Sequence, residues 1–385
     1  MTGVFKFAQD RDLLAQRDPL NVLIVRTDRL GDVILSTPVF EAVKRHYPRA
    51  KVSVMAQHIV KPLLEHLSCV DVFLTYDPRG AHQGVRGFFR LYQQLREARF
   101  SVAIVLQSHW KIALALFLAR VRYRIGPLSK FHSYFLYNRG VRQRRSHVEM
   151  HEADYNLQLL KKLRIRVGAR NVLTRVALSE HAITESKQWL INQGWDSTQP
   201  LIVIHPGMGG SALNWPETHY VELARTLILE GKSILISGGA FEINLLDRIE
   251  KELGELSSKV IFFKNRGEYS IDFFGGILNC AQLVIAPSTG PLHLAVALGK
   301  SVLTFYPPIR VQSALRWGPY VHDEERAGVL VPEVYCGQDF KCAGSLCHYF
   351  PCMKGITVKQ AVSHTLKQMD RLQAKASQET QDHES

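Results

Sequence analysis

Apolar residues recur along this chain in two patterns: short unbroken runs rich in Val, Ile and Leu, and longer stretches in which they return every three or four positions. Unbroken β-branched runs bounded by turn residues predict strands buried on both faces, and the three-to-four spacing predicts amphipathic helices. In the first half, strands are predicted over Asn21 to Thr27 (NVLIVRT), Lys51 to Met55, Asp71 to Tyr76 and Ser101 to Leu106. Helices are predicted over Val33 to His46, His58 to Leu67 and Gly84 to Ala98. Asp28-Arg29-Leu30-Gly31-Asp32 reads as the turn after the first strand, and Pro38 must be accommodated near the start of the helix that follows. A helical stretch over Glu149 to Leu163 leads into a mixed, turn-rich connection, Arg164 to Glu180. The pattern then restarts with strands over Pro200 to Ile204, Ser233 to Ile236, Val260 to Phe263, Leu283 to Ala286 and Ser301 to Tyr306. Between them lie helices over Glu217 to Glu230, Glu242 to Leu253 and Ser270 to Cys280. Strands alternating with helices call for parallel sheets covered on both faces. Two such series predict an α/β protein of two facing, Rossmann-like doubly wound domains, 1–180 and 181–356, with a cleft between their carboxyl-end loops.

At 385 residues the chain exceeds the usual ceiling for one core, and 46% hydrophobic residues are enough to fill two. The formal net charge of +13 points to acidic partners: nucleic acid, anionic lipid or phosphorylated substrates. Residues 1–20 lack the apolar core of a signal peptide, and no run of 18 apolar residues occurs, which predicts a cytoplasmic protein. Much of the excess charge lies between Ala98 and Val148, where ten Lys and Arg occur without one Asp or Glu. Aromatics are interleaved there, including Trp110, Tyr123, Phe131, Tyr134 and Phe135. That mixture suits an anionic membrane surface or a nucleic-acid groove, and a solvated basic face is the plainer reading.

The candidate chemistry centres on Leu283 to Gly299, LVIAPSTGPLHLAVALG. The strand ends at Pro287, and Pro291 suits the first position of a helix carrying Leu292, Ala295, Val296 and Leu298 on one stripe. The free N–H groups at such a helix start favour an anion, and Ser288, Thr289 and Gly290 would let a phosphate come close. An ordinary connection with a Ser or Thr N-cap is the alternative. A second glycine-rich loop, His205 to Ser211, follows another strand. It is neither a Walker loop nor a dinucleotide fingerprint, so the domain is predicted to hold a nucleoside diphosphate rather than a nicotinamide cofactor. Asp32, at the end of the first strand of the first domain, should face the same cleft, either as a general base or as the N-cap of its helix. Arg26, Arg29 or His293 would help neutralise a departing phosphate. Cys336, Cys342, Cys347 and Cys352 crowd into one short segment beside His348, but their spacing is not that of paired Cys-x-x-Cys knuckles. Reduced structural cysteines, occasional disulfides and a metal site are all open.

Three segments together, NVLIVRTDRLGDVILSTPVFEAVKRHYP, IHPGMGGSALNWP and LVIAPSTGPLHLAVALGK, resemble the bacterial lipopolysaccharide heptosyltransferases, glycosyltransferase family 9. The resemblance implies a two-domain GT-B fold, a nucleotide-sugar donor such as ADP-heptose in the C-terminal domain, and inverting transfer with no cofactor or metal. By position, Asp32 matches the family's base, Ser288, Thr289, Gly290 and His293 its donor turn, and Met208 and Gly209 its diphosphate loop. Glu242 and Tyr269 fall at nucleoside-side positions. The family's acceptor is a phosphorylated glycolipid on the cytoplasmic face of the inner membrane. This implies a peripheral membrane contact, no nucleic acid, and an acceptor role for Arg120, Arg122, Arg124, Lys130 and Arg142. A helix over 357–376 would cross back onto the first domain as GT-B folds commonly do, leaving 377–385 as a disordered tail. Two positions depart from the family pattern. Leu213 stands where many members carry Lys, so that Arg26, Arg310 or Lys264 would take over its charge, and Ser288 stands where many carry Asp. Another GT-B nucleotide-sugar enzyme, such as an epimerase, or a non-catalytic binding protein on the same fold are the competing readings.

Overall fold

A computed structural model of the chain describes residues 19–210 and 212–384, the side chains of 375–384 excepted. The polar leader before residue 19 lies outside the described residues. The first sheet is formed by β1 (Asn21–Val25), β2 (Lys51–Ala56), β3 (Val72–Thr75), β4 (Val102–Val105), β5 (Tyr123–Pro127) and β6 (Arg139–Val141). The second is formed by β7 (Leu201–Ile204), β8 (Ser233–Gly238), β9 (Val260–Lys264), β10 (Ala281–Ile285), β11 (Ser301–Phe305) and β12 (Ala327–Leu330). Every pairing is parallel, in the orders β3-β2-β1-β4-β5-β6 and β12-β11-β10-β7-β8-β9. Counted from its own first strand, the second sheet repeats the order of the first, so the fold is an α/β pair of doubly wound sheets. In each, the winding reverses between the first and fourth strands, β1 and β4 or β7 and β10. Loops at the carboxyl ends of those four strands therefore open onto the two crevices where such folds bind ligands.

The central strands carry unbroken apolar runs because helices cover both faces: Val22, Leu23 and Ile24 of β1 and all four residues of β7 are essentially inaccessible to water. A third core joins the halves, with Ile34 and Leu63 of the first packed among Leu190, Phe274, Leu292 and Leu294 of the second. The helices Glu180–Asn192 and Ile271–Cys280 pack closely, and Gly276 permits it, since a Cβ there would fall 2.1 Å from Ser186 Oγ.

The elements differ from the sequence expectation in several places, and the helices Trp110–Leu118 and Phe131–Leu136 lie where none was expected. The stretch read as a turn through Asp32 is a short helix, Leu30–Ile34, and Pro38 begins a separate helix, Thr37–His46, so proline sits where it costs no internal hydrogen bond. Strands β5, β6 and β12 escaped the reading because Arg, Gly and Pro interrupt their apolar pattern. The terminal helix Val358–Glu384 packs on the second domain, against the helix Glu217–Leu229 and strands β10 and β11, rather than crossing to the first. Its apolar side, with Ala361, Leu366 and Met369, completes the core around Trp215 and Phe305. Residues 377–384 continue that helix instead of forming a disordered tail, as a run without Gly or Pro allows.

Candidate active site

Two helix starts meet at the cleft. Leu30–Ile34 begins just past the end of β1 and Gly290–Ala297 just past the end of β10. They touch through glycine: a Cβ on Gly31 would lie 2.7 Å from His293 Cδ2 and 3.6 Å from Gly290 Cα, and one on Gly290 would lie 2.9 Å from Leu30 Cδ2. Thr289, the residue before the second helix, makes no side-chain cap; its hydroxyl donates to the Pro287 carbonyl oxygen at 3.2 Å. The N-cap alternative for this turn is thereby set aside, and the first amides of the helix are left for a ligand. Asp32 is not an N-cap either. It lies inside the first turn, and its Oδ1 accepts from Arg26 Nη2 at 2.5 Å.

Arg26 is the hub of a buried charge network. Its guanidinium also donates to Asp28 at 2.7 Å and to Glu152 and Asn156 at 3.3 Å. Burial works against the Arg26 charge, but the Asp28, Asp32 and Glu152 carboxylates hold it firmly protonated. Burial pushes the Asp32 carboxyl up to about 6 against the pull of Arg26, with Asp28 and Glu152 adding to the rise. Glu152 is 1% exposed and receives two further arginines, Arg145 at 2.5 Å and Arg316 at 3.2 Å. Burial opposes its ionisation, yet Arg145, Arg26 and Arg316 together hold it below the usual carboxylate range. Arg316 belongs to the second domain, so this bond crosses the cleft. Beside it, His151 Nε2 lies 2.9 Å from the Gly318 carbonyl oxygen, and the Tyr320 hydroxyl donates to Asp154 at 2.6 Å.

Two cavities share the waist between the helix starts. One, of about 640 Å³, is lined by Asp32, Ser288, Thr289, Gly290 and His293 together with Arg145, Glu152 and Arg316. The other, of about 700 Å³, is lined by His205, Gly209, Glu242, Asn265, Tyr269 and Phe274. Arg29, Gly31, Thr289 and Gly290 border both. In the second cavity Glu242 accepts from the Gly239 amide at 2.9 Å and faces His205 Nε2 at 3.5 Å. Burial resists the Glu242 charge, but His205 and that amide keep its carboxyl below the ordinary value. Tyr269 stacks on Phe273, ring centres 4.3 Å apart, above Phe263. An aromatic floor beside a half-buried carboxylate suits a nucleoside base and ribose, and the helix amides at the waist suit its phosphates.

Other predicted residues fall elsewhere. Met208 belongs to the same loop as Gly209 but lines neither cavity. Burial, and then His151, push His293 down to about 3, which works against the positive charge first considered for it. Lys264 is tied to Asp247 and Glu250 at 2.6 and 2.5 Å, and Arg310 faces Asp339; neither lines the cleft. Arg120, Arg122 and Arg124 precede or open β5, at the sheet edge opposite the cleft, because parallel strands deliver only their carboxyl ends to it. Arg124 instead donates to the Leu136 and Val121 carbonyl oxygens, and Arg122 lies over the Tyr123 ring. Lys130 immediately follows Ser129, which lines the first cavity, whereas Arg142 borders a separate surface hollow with Arg144 and Glu149. The four cysteines, with Leu213, surround one small apolar cavity, and all are free thiols. Sequence reasoning missed Glu152 and Arg316, and it did not single out Arg145. Only the return of acids after the long basic stretch hinted at Glu152.

The doubly wound pair, with facing cavities at its switch points, is the GT-B architecture found among nucleotide-sugar glycosyltransferases. A family model described as glycosyltransferase family 9 (heptosyltransferase) matches residues 88–349, and the chain belongs to that family. It is 27% identical over 302 residues to lipooligosaccharide heptosyltransferase 2 of Haemophilus influenzae, covering 76% of this chain and 85% of that protein. It is 25% identical over 293 residues to lipopolysaccharide heptosyltransferase 2 of Salmonella typhimurium, covering 75% and 83% respectively. The solved structure of Escherichia coli ADP-heptose lps heptosyltransferase II superposes with a TM-score of 0.74 at 21% identity, over 91% of this chain and 99% of that one.

Proposed function

We propose that this glycosyltransferase moves a heptose or closely related sugar from ADP-heptose to the core of a lipopolysaccharide precursor, with inversion, without a metal, and with Asp32 as general base. The observation that carries this reading is the direct contact of Gly31 with Gly290 and His293, which sets a carboxylate and an uncapped helix start on one cavity. The similarity to lipopolysaccharide and lipooligosaccharide heptosyltransferases, and to a solved ADP-heptose lps heptosyltransferase, supports this choice of sugar, donor and acceptor class. The acceptor hydroxyl oxygen attacks the anomeric carbon as its proton passes to Asp32. The bond from that carbon to the β-phosphate oxygen breaks, and its electron pair leaves with ADP. A carboxyl titrating near the working pH is suited to that proton transfer. Glu242 and Tyr269 hold the nucleoside.

The rim of the first cavity supports a peripheral contact with the cytoplasmic leaflet as part of this reading. Phe131 and Phe135, on the helix Phe131–Leu136 that starts two residues after Ser129, are 82% and 68% exposed, and Trp110 and Tyr134 are also exposed. Lys130 and Lys111 stand beside them in the chain, which suits the interface of an anionic bilayer. The decisive experiment incubates purified protein with ADP-heptose and a heptose-deficient glycolipid, then determines the product's anomeric configuration. Retention of configuration, or equal turnover with Asp32→Asn, refutes the mechanism. Sedimentation with anionic vesicles tests the membrane contact, which Phe131→Ser with Phe135→Ser should weaken.

A further inference from the structure

The glycine-rich loop of this chain, His205 to Ser211, and the Leu213 that follows it carry no Lys or Arg. Leu213, at the position where the resemblance places Lys, packs into the core of the second domain and borders the apolar cavity beneath the cysteines. Four arginines line the cavity that holds Asp32 and the Ser288–Gly290 bend: Arg26, Arg29, Arg145 and Arg316. Arg26 is committed to three carboxylates, one of them the proposed base, and cannot turn to a phosphate without unpairing them. Arg145 is anchored to the first domain through Gln143, the Leu106 carbonyl oxygen, Asn156 and Glu152. Arg29 and Arg316 remain. Arg29 is an exposed residue at the N-cap of the Leu30–Ile34 helix, where its side chain makes no capping hydrogen bond.

Arg316 is different. It sits on the donor domain in the short helix Ala314–Trp317, largely shielded from water at 17% side-chain exposure. Its guanidinium lies over the Trp317 ring at 4.7 Å, and its Nε and Nη2 grip Glu152 Oε2 at 3.3 and 3.2 Å. The bonds of His151 to Gly318 and of Tyr320 to Asp154 fix the same segment against the first domain. A planar, permanently charged group held in this way is pre-organised for a phosphate. We infer that Arg316 supplies the charge that Leu213 leaves out, neutralising the β-phosphate as the sugar departs, and that Glu152 is the positioning residue that aims it. The inference rests on the donor reading above. When the bond from the anomeric carbon to the β-phosphate oxygen breaks, the electron pair stays on that oxygen and Arg316 faces the new charge. Glu152 also bonds Arg26, which bonds Asp32, so one buried carboxylate links the leaving-group side of the cleft to the base side.

The test is the preference for a diphosphate over its monophosphate, measured by calorimetry with ADP against AMP, UDP against UMP and GDP against GMP. The wild type should prefer one diphosphate, and Arg316→Gln should lower that preference about 10- to 100-fold, as expected for a lost charged hydrogen bond. Turnover should fall about 100- to 1,000-fold. Arg316→Lys keeps the charge but loses the planar fork and should fall between the two. Glu152→Gln keeps the Arg316 charge and releases its anchor, so it should raise the donor KM and erode the preference less than Arg316→Gln does. A wild type that binds none of these diphosphates refutes the donor reading itself. A wild-type preference left intact in both Arg316→Gln and Arg316→Lys overturns the role of Arg316 alone, even where both variants melt earlier, since a purely structural bridge would lower thermal stability without touching phosphate selectivity.

Discussion

Replacing Gly31 by Ala adds a single methyl group where the two halves of the molecule touch. Its carbon would fall 2.7 Å from His293 Cδ2, against 3.4 Å at the lower edge of ordinary contact, so the helices must separate by about 0.7 Å or the imidazole must move. The imidazole has little freedom, being buried within the core that joins the domains. Overpacking of this kind costs about 1–3 kcal/mol. That cost falls on the arrangement in which Asp32 and the Ser288–Gly290 bend are close. At about 1.4 kcal/mol per factor of ten, the productive arrangement should be depleted roughly 5- to 150-fold. Steady-state transfer kinetics would show it as a fall in kcat, and calorimetry with ADP would show whether donor binding is spared. The double variant Gly31→Ala/His293→Ala should recover part of the lost thermal stability, since the methyl group then has space. Unchanged kcat and unchanged melting in Gly31→Ala would mean that the two helix starts do not stay packed in solution, and the shared-cavity mechanism would fall with them.

Three further outcomes are expected. Turnover should rise as pH increases through about 6, because Asp32 must lose its proton to act as base, and Asp32→Asn should lower kcat about 100- to 10,000-fold on the plateau above that pH, and less below it, while ADP still binds; a flat pH profile between 5 and 8 with full Asn activity contradicts this. Glu152→Gln removes a charge that raises Asp32, so the acidic limb of the profile should move to lower pH; a move to higher pH would contradict the network. Glu242→Gln should weaken ADP binding by about 1.5–3 kcal/mol through loss of a charged hydrogen bond while the variant melts near the wild type, and unchanged affinity would remove Glu242 from the nucleoside site.

The doubly wound architecture was legible because its central strands have water on neither face. NVLIV, LIVI and the run through LVIA can be little else, and the turn residues after them mark the crevices where ligands bind. Asp32 and Ser288–Gly290 were found for that reason: both follow switch-point strands. Two of the four edge strands were not legible: β6 and β12 each have one neighbour and tolerate Arg and Gly, whereas β3 and β9, at the opposite edges, keep apolar runs that could be read. Charge was misread in the same way. A count of arginines between Ala98 and Val148 does not reveal which end of a strand each one occupies, and Arg120, Arg122 and Arg124 fall at the far end. Arg316 and Glu152 lie 164 positions apart in the chain, and only the folded cleft pairs them. The terminal helix was assigned to the wrong domain because its apolar stripe fits either surface equally well as a pattern.

The narrow waist between the two chambers sets a rule for anyone designing an inhibitor. Both chambers are roomy, and Arg29, Gly31, Thr289 and Gly290 form the boundary they share. A compound meant to occupy both chambers at once must therefore be bulky at its ends and slim where it crosses their shared boundary. Its bridge should be acidic or strongly hydrogen-bond accepting, since it has to pass an uncapped helix start and an arginine in single file.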